Sequence, residues 1–302
     1  MTKDASVLEI LISERNKGKS WPNLARRFEF KSEAEIKKFY FENIKRPRIK
    51  ILFVDIETAP ILAYVWGTGK QFVSHKMVLQ PTTMLSWAAK WQGSNKIYYQ
   101  DVSKQKNLRD DKKLVAGLKE KLDQADVVVW HNGDYFDKRK TNARIAVNRL
   151  QPTINYRTID TLKIAYKHFA FDNNKLVFLA KLLGVDHQKY EHSEFAGEDL
   201  WIQCLAGNKA AWRSMRKYNP LDVLVLEDVY NRLIPHDNSI NFNVYSDSLL
   251  NVCSCGSTEF AKRGWAPTNA GRYQRLKCVN CGKNHQSKVN VLKPKKRKTM
   301  LK

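Results

Sequence analysis

Two carboxylates, Asp55 and Glu57, close the stretch ILFVDIETAP directly behind four apolar residues. Alternate residues of a strand point to one face, so the pair projects together from the C-terminal end of a buried strand. Two carboxylates held that close repel unless a cation relieves them. Magnesium and manganese favour oxygen ligands and would do so. A D-x-E pair alone is a weak signal, and the rest of the chain must supply further ligands.

Two other stretches offer them. VVVWHNGDYFDKRK reads as a second buried strand over 127–130, a polar turn, and a helix beginning near Asp134. In open α/β sheets ligands gather outside the carboxyl ends of strands. That favours Asp137, in the first helical turn, as a ligand; Asp134 competes, and also suits a helix N-cap or dipole partner. Phe136 is expected to anchor this helix in the core, and His131 and Asn132 to shape the turn. MRKYNPLDVLVLEDVYNRL sets Tyr218 and Asp222 four residues apart, one turn along a helix face. Val223, Leu226, Val229, Tyr230 and Leu233 make the adjoining apolar stripe, which leaves Glu227 and Asp228 toward solvent. Pro220 suits only the first turn of a helix, placing Tyr218 near its N-cap. Asp160, in YRTIDTL, is expected to be structural.

Four of the five cysteines fall in CSCG and CVNCG, as C-x-C, 22 residues, C-x-x-C. Cys253, Cys255, Cys278 and Cys281 suit a tetrahedral site for one structural Zn²⁺, with Gly256 and Gly282 where tight turns favour glycine. His285 is an alternative ligand. So small a module has too little core to fold without metal. The intervening FAKRGWAPTNAGRYQRLK is basic and aromatic, so Trp265 and Tyr273 could stack on bases while its cations meet phosphates. Cys204 stands apart and reads as a buried apolar residue.

The elements that must position these residues follow from periodicity. Residues 1–46 read as three short helices, helix-turn-helix-like, with Ser20 and Ser32 as N-caps and Glu35 completing a capping box. Their role is DNA contact or simple packing. Arg46-Pro47-Arg48 marks a boundary. Over 48–236 strands alternate with helices after an initial meander of ILFVDIE, TMLSWAAKW and KIYYQDV, which predicts an α/β domain: a mixed sheet flanked by helices. A polar linker over 237–250 leads to the cysteine module at 251–287 and a basic tail at 288–302. Net charge is +23, with 13 basic against 7 acidic residues in 1–50 and 13 against 3 in 237–302. Charge concentrated in the flanks points to a polyanionic partner, nucleic acid first. No apolar run reaches the roughly 18 residues a membrane span requires, and MTKDASVLEI has no signal-peptide pattern, so a soluble, intracellular protein is expected.

DIET, HNGDYFD and YNPLD, in that order, resemble the three exonuclease motifs of the DEDD superfamily, and Tyr-x-x-x-Asp resembles its tyrosine subgroup. The resemblance spans roughly residues 50–236. It is similar in kind to predicted bacteriophage and bacterial exonucleases related to the proofreading domain of family B polymerases, and the cysteine module resembles the zinc ribbons of phage and transposase proteins. It implies a ribonuclease H-like fold and 3′→5′ hydrolysis of nucleic acid. Carried over residue by residue, Asp55, Glu57, Asp137 and Asp222 would bind two Mg²⁺ or Mn²⁺ ions and Tyr218 would position the attacking water. With an ordinary tyrosine pKa of about 10, orienting water suits that hydroxyl better than removing its proton. The expectation is therefore a two-metal exonuclease on DNA, at single-stranded ends, in the cytoplasm of a bacterium or phage-infected cell, with replication or repair proteins as possible partners. An exoribonuclease, a structure-selective nuclease and a nucleic-acid-binding regulator are the alternatives.

Overall fold

A computed structural model describes residues 5–17, 19–43, 49–188, 194–245 and 250–300. The expected boundary at Arg46–Arg48 and part of the expected linker lie outside these residues. The chain divides into two compact units, one of residues 50–233 and one that joins residues 1–49 to 234–302.

The second of these starts with helices α1 (Ala5–Asn16), α2 (Trp21–Arg27) and α3 (Glu33–Asn43). Leu11, Leu24, Ile36 and Tyr40 close a small core there, which Leu250 completes. Ser32 Oγ accepts from the Glu35 N–H at 3.1 Å, and the Glu35 carboxylate returns to the Lys31 N–H at 2.6 Å, one residue outside a standard capping box. In α1, Leu11 and Ile12 face this core and Ile10 is exposed.

The central unit is a five-stranded mixed sheet covered by helices. Its elements are β1 (Ile51–Thr58), the short β2 (Leu62–Ala63) and β3 (Val78–Gln80), β4 (Met84–Trp91), β5 (Ile97–Asp101), α4 (Lys112–Leu122), β6 (Val127–Trp130), α5 (Asp137–Val147), β7 (Arg157–Asp160), α6 (Thr161–His168), α7 (Leu176–Leu182), α8 (Asp199–Leu205) and α9 (Lys209–Leu233). The order is β5-β4-β1-β6-β7. β1, β4 and β5 form the expected antiparallel meander, and β6 and β7 join β1 in parallel. β1 and β6 are apolar on both faces because helices cover both. β1 is therefore central, and its C-terminal end lies beside that of β6.

Three local expectations are corrected. Pro220 lies deep inside the 25-residue α9, not in its first turn. Proline removes one backbone donor and strains the turn before it, but the apolar face from Ala211 to Leu233 is buried along the whole length and holds the helix together. Helix α5 starts at Asp137, and Phe136, 37% exposed, does not anchor it; Thr141, Arg144 and Ile145 do. Glu227 and Asp228 are not solvated: Glu227 pairs with the nearly buried Lys90, and Asp228 Oδ2 meets His187 Nδ1 at 2.8 Å.

In the two-ended unit, β8 (Phe260–Thr268), β9 (Gly271–Cys278) and β10 (Asn284–Asn290) form an antiparallel sheet in the order β10-β9-β8, followed by a short basic helix α10 (Pro294–Lys298).

Candidate metal centre

Strand alternation sets Asp55 and Glu57 on one face of β1, and the register on β4 puts Ala88 opposite Asp55 and Ser86 opposite Glu57. Directly opposed residues share a face, so small side chains flank both carboxylates and leave space over the sheet. α9 packs on β1 and β4. Because it is helical through Pro220, Tyr218 and Asp222 do lie one turn apart on its buried side. Carboxylate oxygens of Asp55, Glu57 and Asp222 lie within 4.8 Å of one another.

Two residues that motif reading passed over hold Asp55 and Glu57. Asn219, fully buried, donates from Nδ2 to Asp55 Oδ2 at 2.6 Å and accepts from Ser86 Oγ at 3.0 Å. Its side-chain amide thus ties α9 to both strands. The indole N–H of Trp201 on α8 donates to Glu57 Oε2 at 2.7 Å, and its ring meets that of Tyr218 edge-on at 5.9 Å. Asn219 was findable, since it sits next to Tyr218 in YNPLD. Trp201, 144 residues from Glu57 in sequence, carried no local signal.

Asp137 stands outside the trio. It is buried, and Oδ1 accepts from the backbone N–H of Ile56, between Asp55 and Glu57, at 3.2 Å. Burial pushes its carboxyl up to about 7, against the opposing pull of the backbone donors. Asp134 neither joins the cluster nor caps α5; it pairs with Lys163. Asp160 is structural as expected: it accepts from the N–H groups of Asn132 (2.9 Å) and Leu162 (3.0 Å), fixing the turn after β6 and capping α6. His131 is a satisfied neighbour, with Nδ1 to Thr161 Oγ1 at 2.8 Å and Nε2 to the Asn174 carbonyl at 2.9 Å. Asn132 takes the left-handed conformation (φ 61°), and Gly133 is obligatory because a Cβ there would lie 2.1 Å from the Trp130 ring.

The donor set suits hard divalent cations. The oxygens face one another across no more than 4.8 Å, and magnesium and manganese take such oxygen ligands. Asn219 and Trp201 are neutral donors, so they orient the carboxylates without cancelling their charge. Tyr218 is raised well above an ordinary phenol, first by burial and then by the charges of Asp222, Glu57 and Asp55. It is a neutral hydroxyl at any physiological pH.

The cysteines form a second cluster, with the four sulfurs within 4.8 Å of one another. Cys253 and Cys281 are 3.5 Å apart, and Cys255 and Cys278 3.6 Å. Tetrahedral zinc with Zn–S bonds of about 2.3 Å requires sulfur separations of about 3.8 Å, so the thiols fit. Hydrogen bonding to Cys255 and burial push the Cys253 thiol up, and burial pushes Cys281 up to about 11. His285 Nε2 lies 3.2 Å from Cys253 Sγ, placing the ring as a hydrogen-bond partner of that sulfur. The buried Lys283 ammonium reaches Ser254 Oγ at 3.1 Å and the carbonyls of Ile234 and Asp237, pinning the turn that enters this unit. Cys204 is buried and apolar in setting, as expected.

A family model, RNase_H_2 of the RNase_H superfamily, matches residues 52–234. Among solved structures the chain is similar to the family B DNA polymerase from the hyperthermophilic archaeon Pyrobaculum calidifontis, at 16% identity and a TM-score of 0.44, covering 63% of this chain and 25% of that one. The chain thus spans about a quarter of the polymerase's length. No curated protein matches the chain. Among the described residues no helix is long and apolar enough to cross a membrane.

Proposed function

This chain belongs to the RNase H superfamily, and from that membership we propose that it is a metal-dependent nuclease that removes nucleotides from the 3′ ends of DNA, preferring unpaired ends. The observation that carries the reading is the convergence of Asp55, Glu57 and Asp222 beside the Tyr218 hydroxyl.

Phosphodiester hydrolysis requires an aimed water, stabilisation of charge on the phosphoryl oxygens, and a leaving 3′-oxygen. Bound divalent ions supply charge and an activated water. Asp55, Glu57 and Asp222 are the residues to hold two such ions, with Asp137 as the fourth carboxylate from the neighbouring helix. Asn219 and Trp201 fix the carboxylate rotamers in advance, so little reorganisation is needed during reaction. Tyr218, neutral, orients the attacking water through its hydroxyl and does not take its proton. The four cysteines hold one zinc ion that stabilises the three-stranded ribbon. On that ribbon Trp265 is exposed with the Arg272 guanidinium 5.3 Å from its ring centre, and Lys262, Arg263 and Arg275 add charge, a composition suited to phosphate and base contact.

The test uses 5′-labelled single-stranded DNA and a matched RNA, each with magnesium or manganese, beside an Asp55→Ala/Glu57→Ala protein. A ladder shortening from the 3′ end of DNA, absent in the variant, is the expected result. Shortening of RNA alone would reassign the substrate. Intact strands under both ions, with oligonucleotide still bound, would refute the nuclease.

A further inference from the structure

Between β1 and β4 the chain leaves the sheet for residues 60–81 and returns. The excursion is firmly rooted. Ala59 N–H donates to the Thr83 carbonyl at 2.8 Å, and Thr82 Oγ1 to the Ala59 carbonyl at 2.6 Å. Arg109 grips both ends of the neck, donating to the carbonyls of Pro60 (3.1 Å) and Pro81 (3.0 Å). Above the neck, β2 and β3 pair, and Tyr64 N–H bonds the Met77 carbonyl at 2.9 Å. Past that point the residues form an open loop whose side chains are apolar and solvated: Trp66 is 97% exposed and Phe72 93%, with Tyr64 and Val65 also exposed.

Large rings left in water forgo the burial that ordinarily rewards them, and several of them on one loop mark a contact surface. Composition selects the occupant. Residues 60–81 contain Lys70, Lys76 and His75 and not one Asp or Glu. Rings interleaved with cations and free of carboxylates match a single strand of nucleic acid, whose bases stack on aromatic faces irrespective of sequence while its phosphates meet the lysines. Location agrees: the excursion leaves β1 at Pro60, three residues after Glu57, so its root is at most about 10 Å along the chain from the carboxylates. We propose that this excursion is a base-stacking platform that holds the unpaired strand leading into the carboxylate site, with Trp66 and Phe72 as its stacking rings and Lys70 and Lys76 as its phosphate contacts. The inference takes its ligand from the nuclease reading and adds the residues that make that site select unpaired strands.

The experiment separates the two. Binding of a fluorescein-labelled oligothymidylate is followed by anisotropy in EDTA, where no strand is cut. Hydrolysis of the p-nitrophenyl ester of thymidine 5′-phosphate with manganese reads the carboxylate site alone. Trp66→Ala/Phe72→Ala is expected to weaken oligothymidylate binding at least about tenfold and to leave ester hydrolysis within about twofold. Trp66→Leu, apolar without a ring, should bind as poorly as Trp66→Ala, whereas Trp66→Phe should retain most of the affinity. Both side chains are solvated, so the fold is not at stake, and unchanged circular dichroism checks this. Unchanged oligonucleotide affinity in the double variant overturns the platform, with ester hydrolysis intact leaving the nuclease standing. Equal affinity of the Leu and Phe variants overturns stacking, and a concentration-dependent dimer abolished by Trp66→Ala with unaltered oligonucleotide binding assigns the surface to a second copy. Absence of ester hydrolysis in the wild type counts against the nuclease reading only.

Discussion

Replacing Trp201 by phenylalanine isolates one interaction at the carboxylate site. The substitution deletes the indole N–H that reaches Glu57 Oε2 at 2.7 Å and keeps an aromatic ring against Tyr218. A hydrogen bond from a neutral donor to a charged acceptor contributes about 1.5–3 kcal/mol, and an edge-on ring pair about 0.5–1.5 kcal/mol, most of which phenylalanine retains. If that N–H sets the Glu57 rotamer, its loss should lower manganese affinity, and with it turnover, by about 10- to 150-fold. Trp201 is only partly buried, so thermal stability should fall by no more than about 10 °C. Titration calorimetry with manganese, ester hydrolysis and a melting curve on the same preparation give the three readings. Trp201→Ala, which also loses the ring contact, should be worse in all three. A Trp201→Phe protein with wild-type manganese affinity and turnover would refute the reasoning. So would a loss of activity matched by a large loss of stability, since the residue would then merely support the fold.

Other outcomes follow from the same geometry. Asp111 is wholly buried and takes a bidentate contact from Arg144 at 2.6 and 2.8 Å, so Arg144→Met should destabilise the central unit by about 3–5 kcal/mol in urea denaturation. The double variant Asp111→Leu/Arg144→Met should recover part of that loss. Burial raises the Asp101 carboxyl, but hydrogen bonds from Arg216 and Ser103 outweigh it and hold the group below its ordinary value. Its stabilisation is complete above the ordinary carboxylate range and is lost as pH falls through the depressed value. Asp101→Asn should therefore be less stable than wild type at about pH 7, the gap closing as pH falls below the ordinary carboxylate range, as read from urea midpoints. Cys278→Ser should reduce zinc from one per chain to a small fraction by elemental analysis and loosen the β8–β10 sheet in hydrogen exchange, because a module of this size depends on its metal.

Period alone located much of the candidate site. Two-residue spacing at the end of an apolar run put Asp55 and Glu57 on one face, and four-residue spacing did the same for Tyr218 and Asp222. Each relation depends only on the geometry of its own strand or helix, which is why it was legible. The cysteine pairs were legible because each chelating pair is local in sequence. The misplacements share a cause. Pro220 ought to start a helix by its local chemistry, yet thirteen buried positions along α9 outweigh one lost backbone bond. Phe136 ought to be buried by its hydrophobicity, yet it is left exposed at the start of α5, whose buried face is filled by Thr141, Arg144 and Ile145. Glu227 ought to face water, yet Lys90, on a strand far away in sequence, lies beside it.

By itself, then, the sequence determined the residue types that can ligate metal, the α/β alternation with a central apolar strand, and the split between an oxygen site and a sulfur site, since each rests on contacts within a few residues. Tertiary structure alone decided which carboxylates meet, with Asp222 joining Asp55 and Glu57 while Asp137 turns to the Ile56 N–H. It also brought in Trp201 and Asn219 as their supports and displayed Trp66 and Phe72 to solvent on a clamped neck. Those outcomes depend on how separate elements pack, and packing is settled by the burial of whole faces, a quantity that no local pattern contains.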